Sequence, residues 1–260
     1  MIKDTDSSGT YYLLNKKDQK IPIVFIHGVG LNHEIWEPQI DYFKNYTTLS
    51  YDILGHGKTS LKKINISFDD FSEQLIKLID ELSFEKIHLV GFSIGSLIAR
   101  NFATKYDNRL KSLILLGSIY KRNEEQQKIV NDRFNLAKKS SKLSKHALKR
   151  WFTDKYLEEN PDTYKKISSI LEANNIENFL NVYELFVFHK NDEKFEKIKT
   201  NTLVMTGEND IGSTIEMSKS LSYVIKNSQF KVIKNGKHLC GIECADDVNM
   251  AINNFIKKND

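Results

Sequence analysis

The sequence predicts an α/β protein: a doubly wound, mostly parallel sheet with a helical insertion between two of its later strands. Three observations predict it. Short apolar, β-branched runs alternate with stretches of helical periodicity. Eleven of the twelve glycines fall in the turns that leave those runs. The segment 120–194 breaks the alternation with helical spacing, many charges and no convincing strand.

Taken in order, "TYYLLNKK" (10–17) reads as an antiparallel first strand, and "IPIVFIH" (21–27) as a buried one. "TTLSYD" (47–52) follows. Phe71, Leu75, Leu78, Ile79 and Leu82 keep helical spacing, behind Ser67 and Asp70 placed as a capping box. "KIHLVGF" (86–92) is a third buried strand, with "SLIARNFATKY" (96–106) a helix behind it. "SLILLGS" (112–118), "TLVMTG" (202–207) and "QFKVI" (229–233) complete the strands, and Val248, Ile252 and Phe255 share the face of a closing helix. The expected division is a core of 1–119 and 195–260 with a helical cap, or lid, at 120–194.

Composition excludes several classes. Lys+Arg 38 against Asp+Glu 34 gives +4, with lysines scattered rather than clustered, so no nucleic-acid footprint is expected. No apolar run approaches the ~20 residues of a membrane helix, and no signal peptide opens the chain, so no membrane partner and a cytoplasmic location are expected. Two cysteines, Cys240 and Cys244, make no disulfide framework, and with His238 they offer too few ligands for zinc. Their expected role is packing the turn into the last helix.

Asp52 to Ser60, "DILGHGKTS", ends like a phosphate-binding loop. That loop requires glycine where Asp52 stands and a helix opening on Lys58, and neither is present. The strand-end glycines mark the carboxyl edge of the sheet, where open parallel sheets bind ligands.

Chemistry enters at "GFSIG", Gly91–Gly95. It matches G-x-S-x-G with a strand before it and a helix after it, which makes Ser93 the expected nucleophile. A serine hydroxyl needs a base. His238, just past the last strand, is the choice among seven histidines. His33 and His56 are expected to line the site, His27 to be structural, and His146 and His189 to be solvated in the lid. Of the two acids in "MTGENDIGST", Asp210 lies further beyond the strand and is preferred over Glu208 as the group that orients His238. The oxyanion hole is expected from the backbone N–H groups of Ile94 and of Val29, which glycines flank in "HGVG". Trp36, Trp151 and Phe152, with Phe186 and Phe188, are the expected apolar pocket walls.

These motifs resemble the α/β-hydrolases. "HGVGLNHEIWEPQI", "YDILGHGKTS", "GFSIG", "TGENDIGST" and "GKHLC" follow that family's order across nearly the whole chain. Within it, "RWFTDKYLEENPD" (150–162) is similar to the lid of the 3-oxoadipate enol-lactonase and small carboxylesterase branch. The resemblance implies the α/β-hydrolase fold, with Asp52–Gly57 as the family's D-x-x-G-x-G turn beneath the site. It implies a serine hydrolase acting on a small-molecule ester or lactone, without metal or organic cofactor. C–C bond hydrolysis, acyl transfer and a non-catalytic binding protein are the alternatives, and a homo-oligomer is left open.

Overall fold

The computed structural model describes residues 1–17, 21–139 and 144–259. Eight strands form one sheet: β1 (Ile2–Thr5), β2 (Tyr11–Asn15), β3 (Ile23–Ile26), β4 (Thr48–Tyr51), β5 (Ile87–Phe92), β6 (Leu110–Leu116), β7 (Thr202–Gly207) and β8 (Ser228–Ile233). Their order is β1-β2-β4-β3-β5-β6-β7-β8. The β1–β2 and β2–β4 pairs are antiparallel and every other pair is parallel.

The central strands are apolar throughout because both faces are covered. β3, β4, β5 and β7 are buried at every position, the pattern of a sheet flanked by helices. One face packs against α2 (Phe68–Glu81), through Phe71, Leu75 and Leu78, and against α3 (Ile94–Tyr106). The other face packs against α1 (Glu37–Tyr42), through Ile40, and against the C-terminal helix, through Val248, Ile252 and Phe255. The expected capping box opens α2: Asp70 accepts from the Ser67 N–H at 2.8 Å.

Among the described residues five α-helices lie between β6 and β7: α4 (Glu124–Lys139), α5 (Ser144–Trp151), α6 (Asp154–Glu159), α7 (Pro161–Glu172) and α8 (Ile176–Val187). They sit over the carboxyl edge of the sheet. After β7 come α9 (Ile215–Val224), α10 (Cys240–Glu243) and α11 (Ala245–Asn259). Cys240 is buried and Cys244 half-buried, both at the turn into α11 as expected. Among the described residues no helix is long and apolar enough to cross a membrane.

Candidate active site

The turn out of β5 carries the strain its sequence implies. Ser93 sits at φ 54°, ψ −119°, a backbone region that costs an L-residue of order 1–3 kcal/mol. Its neighbours explain how the chain tolerates this. A Cβ on Gly91 would lie 2.3 Å from the Gly95 carbonyl oxygen, and a Cβ on Gly95 would lie 2.4 Å from that of Ile26. Side chains at either place would push the turn apart, so the two glycines let Ser93 stand at the mouth of the sheet.

Asp210 follows β7 and His238 follows β8. The structure brings these side chains and Ser93 into one hydrogen-bonded row. His238 Nδ1 lies 2.6 Å from Asp210 Oδ2, and Nε2 lies 3.1 Å from Ser93 Oγ. A carboxylate only accepts, so Nδ1 carries the proton and Nε2 is left to accept from the serine hydroxyl. The other oxygen of Asp210 is held by the Gly212 N–H at 2.8 Å and the Ser213 N–H at 2.9 Å. Ser213 Oγ in turn donates to the Gly117 carbonyl at 2.8 Å. The carboxylate is thus fixed from both sides. Phe92 packs on the imidazole, ring centres 4.9 Å apart. Glu208 points elsewhere and accepts from the Asn235 N–H.

The loop after β3 runs beside the serine. Gly28 accepts from the Leu31 N–H at 3.2 Å, and the Gly30 N–H donates to His56 Nε2 at 2.8 Å, which leaves Val29 at the turn. Ile94 opens α3, so its N–H has no carbonyl four residues earlier within the helix. Val29 and Ser93 both border a cavity of about 320 Å³ under the insertion.

Four expectations about the surroundings need correction. Trp36 is 1% exposed and packs on Phe25 in the core, and Phe152 is fully buried against Tyr156; neither borders the cavity. Trp151 and Phe186 do border it, while Phe188 lies outside on the surface. His33 and His56 lie beneath the site rather than along it: His33 Nδ1 bonds Asp52 at 2.7 Å, and His56 supports Gly30. His189 is not solvated but bonds Glu193 at 3.1 Å, while His146 is exposed as expected and also borders the cavity. Aromatic or imidazole character in a sequence does not give direction.

Asp52 explains the glycines of "DILGHGKTS". It is fully buried and accepts from the backbone N–H groups of His33 (2.8 Å) and Lys58 (2.9 Å). Gly57 has φ 53°, and a Cβ there would lie 2.2 Å from the carboxylate. Burial alone pushes the Asp52 carboxyl up, and the His33 and Lys58 hydrogen bonds bring it below its ordinary value.

Three arginines, Arg122, Arg133 and Arg150, also border the cavity and belong to no motif. A signal existed for one of them: positions 126, 129, 133 and 136, all on the cavity wall, step along one face of α4.

Comparison with known proteins bears on the whole arrangement. A model of the alpha/beta hydrolase fold family matches residues 21–243. The chain is 29% identical over 241 residues to (E)-2-((N-methylformamido)methylene)succinate hydrolase of Acinetobacter baylyi, covering 91% of this chain and 90% of that protein. It is 26% identical over 258 residues to 3-oxoadipate enol-lactonase 1 of the same organism, covering 99% and 96%. The structure of an enol-lactonase from Burkholderia xenovorans superposes with a TM-score of 0.90 at 20% identity, over 98% of this chain and 100% of that one. A thermophilic esterase from Thermogutta terrifontis gives 0.85 at 22% identity, over 99% and 98%. With its sheet order, its strained serine turn and this match across most of its length, the chain belongs to the alpha/beta hydrolase fold family.

Proposed function

We propose that this chain is a serine hydrolase that cleaves a carboxylic ester or lactone of a small molecule through an acyl-enzyme. The observation that carries the reading is the row Ser93–His238–Asp210, bonded at 3.1 and 2.6 Å on the wall of a cavity. Ser93 Oγ attacks the carbonyl carbon while His238 Nε2 takes the hydroxyl proton. The carbonyl oxygen gains the electron pair and sits against the N–H groups of Val29 and Ile94. Collapse expels the alkoxide, which receives the proton from His238; in a lactone the leaving alcohol stays tethered to the acyl group. Water, deprotonated by His238, then attacks the acyl-serine and releases the acid. Asp210 holds the Nδ1 proton in place and balances the imidazolium in both halves of the cycle.

A relative named as an enol-lactonase supports this bond type at low identity, and one named as a hydrolase of a succinate derivative supports hydrolysis more broadly. Two measurements test it together. Fluorophosphonate should label wild type at one serine and leave Ser93→Ala unlabelled. Turnover of p-nitrophenyl esters should fall by about 10³-fold or more in that variant. Ester hydrolysis that survives in Ser93→Ala ends the reading.

A further inference from the structure

The chain spends its arginines unusually. Only five of its 38 basic residues are arginine, and three of those five border the cavity above Ser93. Among the described residues no lysine borders it. The other two arginines hold acids: Arg100 pairs with Glu193, and Arg109 with Asp80 at 2.7 Å. Among the described residues none of the cavity arginines makes an ion pair, and Asp210, engaged by His238, is the sole carboxylate on the cavity wall.

Their positions keep them apart from any structural neutralisation. Arg122 lies over the Phe186 ring and gives Nη1 to the carbonyls of Phe186 and Val187 at the end of α8. Its Nη2 is buried with no hydrogen-bond partner, and an unpaired buried guanidinium nitrogen is costly. Arg150 gives one nitrogen to the His146 carbonyl of its own helix. Burial pushes the Arg122 guanidinium down to about 10, with Arg133 repelling it further; Arg150 is lowered by burial and by Arg133 in the same way. The half-buried Tyr183 is the electrostatic neighbour common to all three.

We propose that Arg122, Arg133 and Arg150 form an anion subsite that binds a carboxylate carried by the substrate, distant from the carbonyl that Ser93 attacks. The subsite rests on the hydrolase reading for its place in turnover. The chemistry fits: a guanidinium presents a planar fork that matches a carboxylate in two parallel hydrogen bonds, which an ammonium does not. The apolar remainder of the wall, including Trp151, Leu171 and Phe186, suits the carbon chain between the two ends. A substrate with a charged far end explains why an otherwise apolar cavity keeps three uncompensated cations.

The test separates the subsite from the reaction. Glutarate and 1,5-pentanediol are titrated calorimetrically into the Ser93→Ala protein, which needs no turnover. Glutarate should bind, more weakly as salt is raised, and the diol should not. Arg150→Gln and Arg133→Gln, both remote from the α8 cap, should weaken glutarate by about tenfold, with Arg150→Lys intermediate. In the active protein, kcat/KM for mono-p-nitrophenyl glutarate relative to p-nitrophenyl pentanoate should fall by about tenfold or more in the same Gln variants. Equal binding of acid and diol, or an unchanged ratio of the two esters, overturns the subsite while leaving ester hydrolysis intact. Glutarate binding in a protein that cleaves neither ester overturns the hydrolase reading and leaves the subsite standing.

Discussion

Two histidine–aspartate pairs stand at the same edge of the sheet, and they are nearly identical by distance. His33–Asp52 is bonded at 2.7 Å and His238–Asp210 at 2.6 Å. Both aspartates are buried and both accept backbone N–H groups. The difference lies on the far side of each ring. His238 turns its second nitrogen to Ser93 and a cavity; His33 is not on the wall of that cavity and tilts against Tyr11, ring centres 5.2 Å apart. One pair is a clasp that ties the loop after β3 to the loop after β4. The other has the same bond but an open position for chemistry. A buried imidazole–carboxylate bond is therefore not a functional signal until its third partner is known.

The largest expected effect tests the second pair. Asp210→Asn should lower kcat by about 10³-fold with the melting temperature nearly unchanged, because the amide favours the wrong imidazole tautomer. A loss under tenfold would place the work of orientation elsewhere. Asp52→Asn should do the reverse. It leaves buried N–H groups poorly matched and should cost roughly 2–4 kcal/mol in urea unfolding, with the kcat of the folded protein changed little. An Asp52→Asn enzyme that is stable but dead would erase the distinction between the pairs.

Acid should strike the clasp region next. Burial lowers His27 to about 4 and His56 to about 3, from an ordinary 6.5. Each is neutral and accepts a backbone N–H, from Ile53 at 3.0 Å and from Gly30 at 2.8 Å. The unfolded chain binds the proton first, so their contribution is complete above the unfolded pKa and is lost as pH falls from about 6.5 towards 4. Going from about pH 7.5 to about pH 5 should remove roughly 2 kcal/mol per histidine, read from urea midpoints. A midpoint that is flat over that range would show that these rings are not buried neutral. The smallest effect is expected at the rejected acid: Glu208→Gln should change kcat less than about twofold and stability by under about 0.5 kcal/mol.

Much of this was legible in the chain. Strands β3 to β7 announce themselves because both faces are buried, which forces nearly continuous apolar runs. Ser93, Asp210 and His238 were legible because each falls just beyond a strand, where topology confines it to one edge. β1 was not expected, since all four of its residues are exposed and nothing apolar marks it. The cavity walls were the least readable. Trp36 and Phe152 looked like walls and are core, while Arg122, Arg133 and Arg150 looked like solvated charge and face inward. Helix facing decides Arg133 and Arg150, on α4 and α5, and within a charged insertion the apolar stripe is too interrupted to reveal it.

The insertion is fastened to the imidazole at one corner. The Leu239 N–H donates to the Trp151 carbonyl at 3.0 Å, and Glu243 accepts from the N–H groups of Thr153 (2.8 Å) and Lys237 (3.0 Å). That corner cannot swing outward without slackening the segment that aims His238. Along α4, Ile129 and Leu136 line the cavity and stand 42% and 53% exposed, so the cavity meets solvent on that side. The side that meets solvent and the corner that aims the proton carrier are thus built from different helices, α4 for the one and the end of α5 for the other.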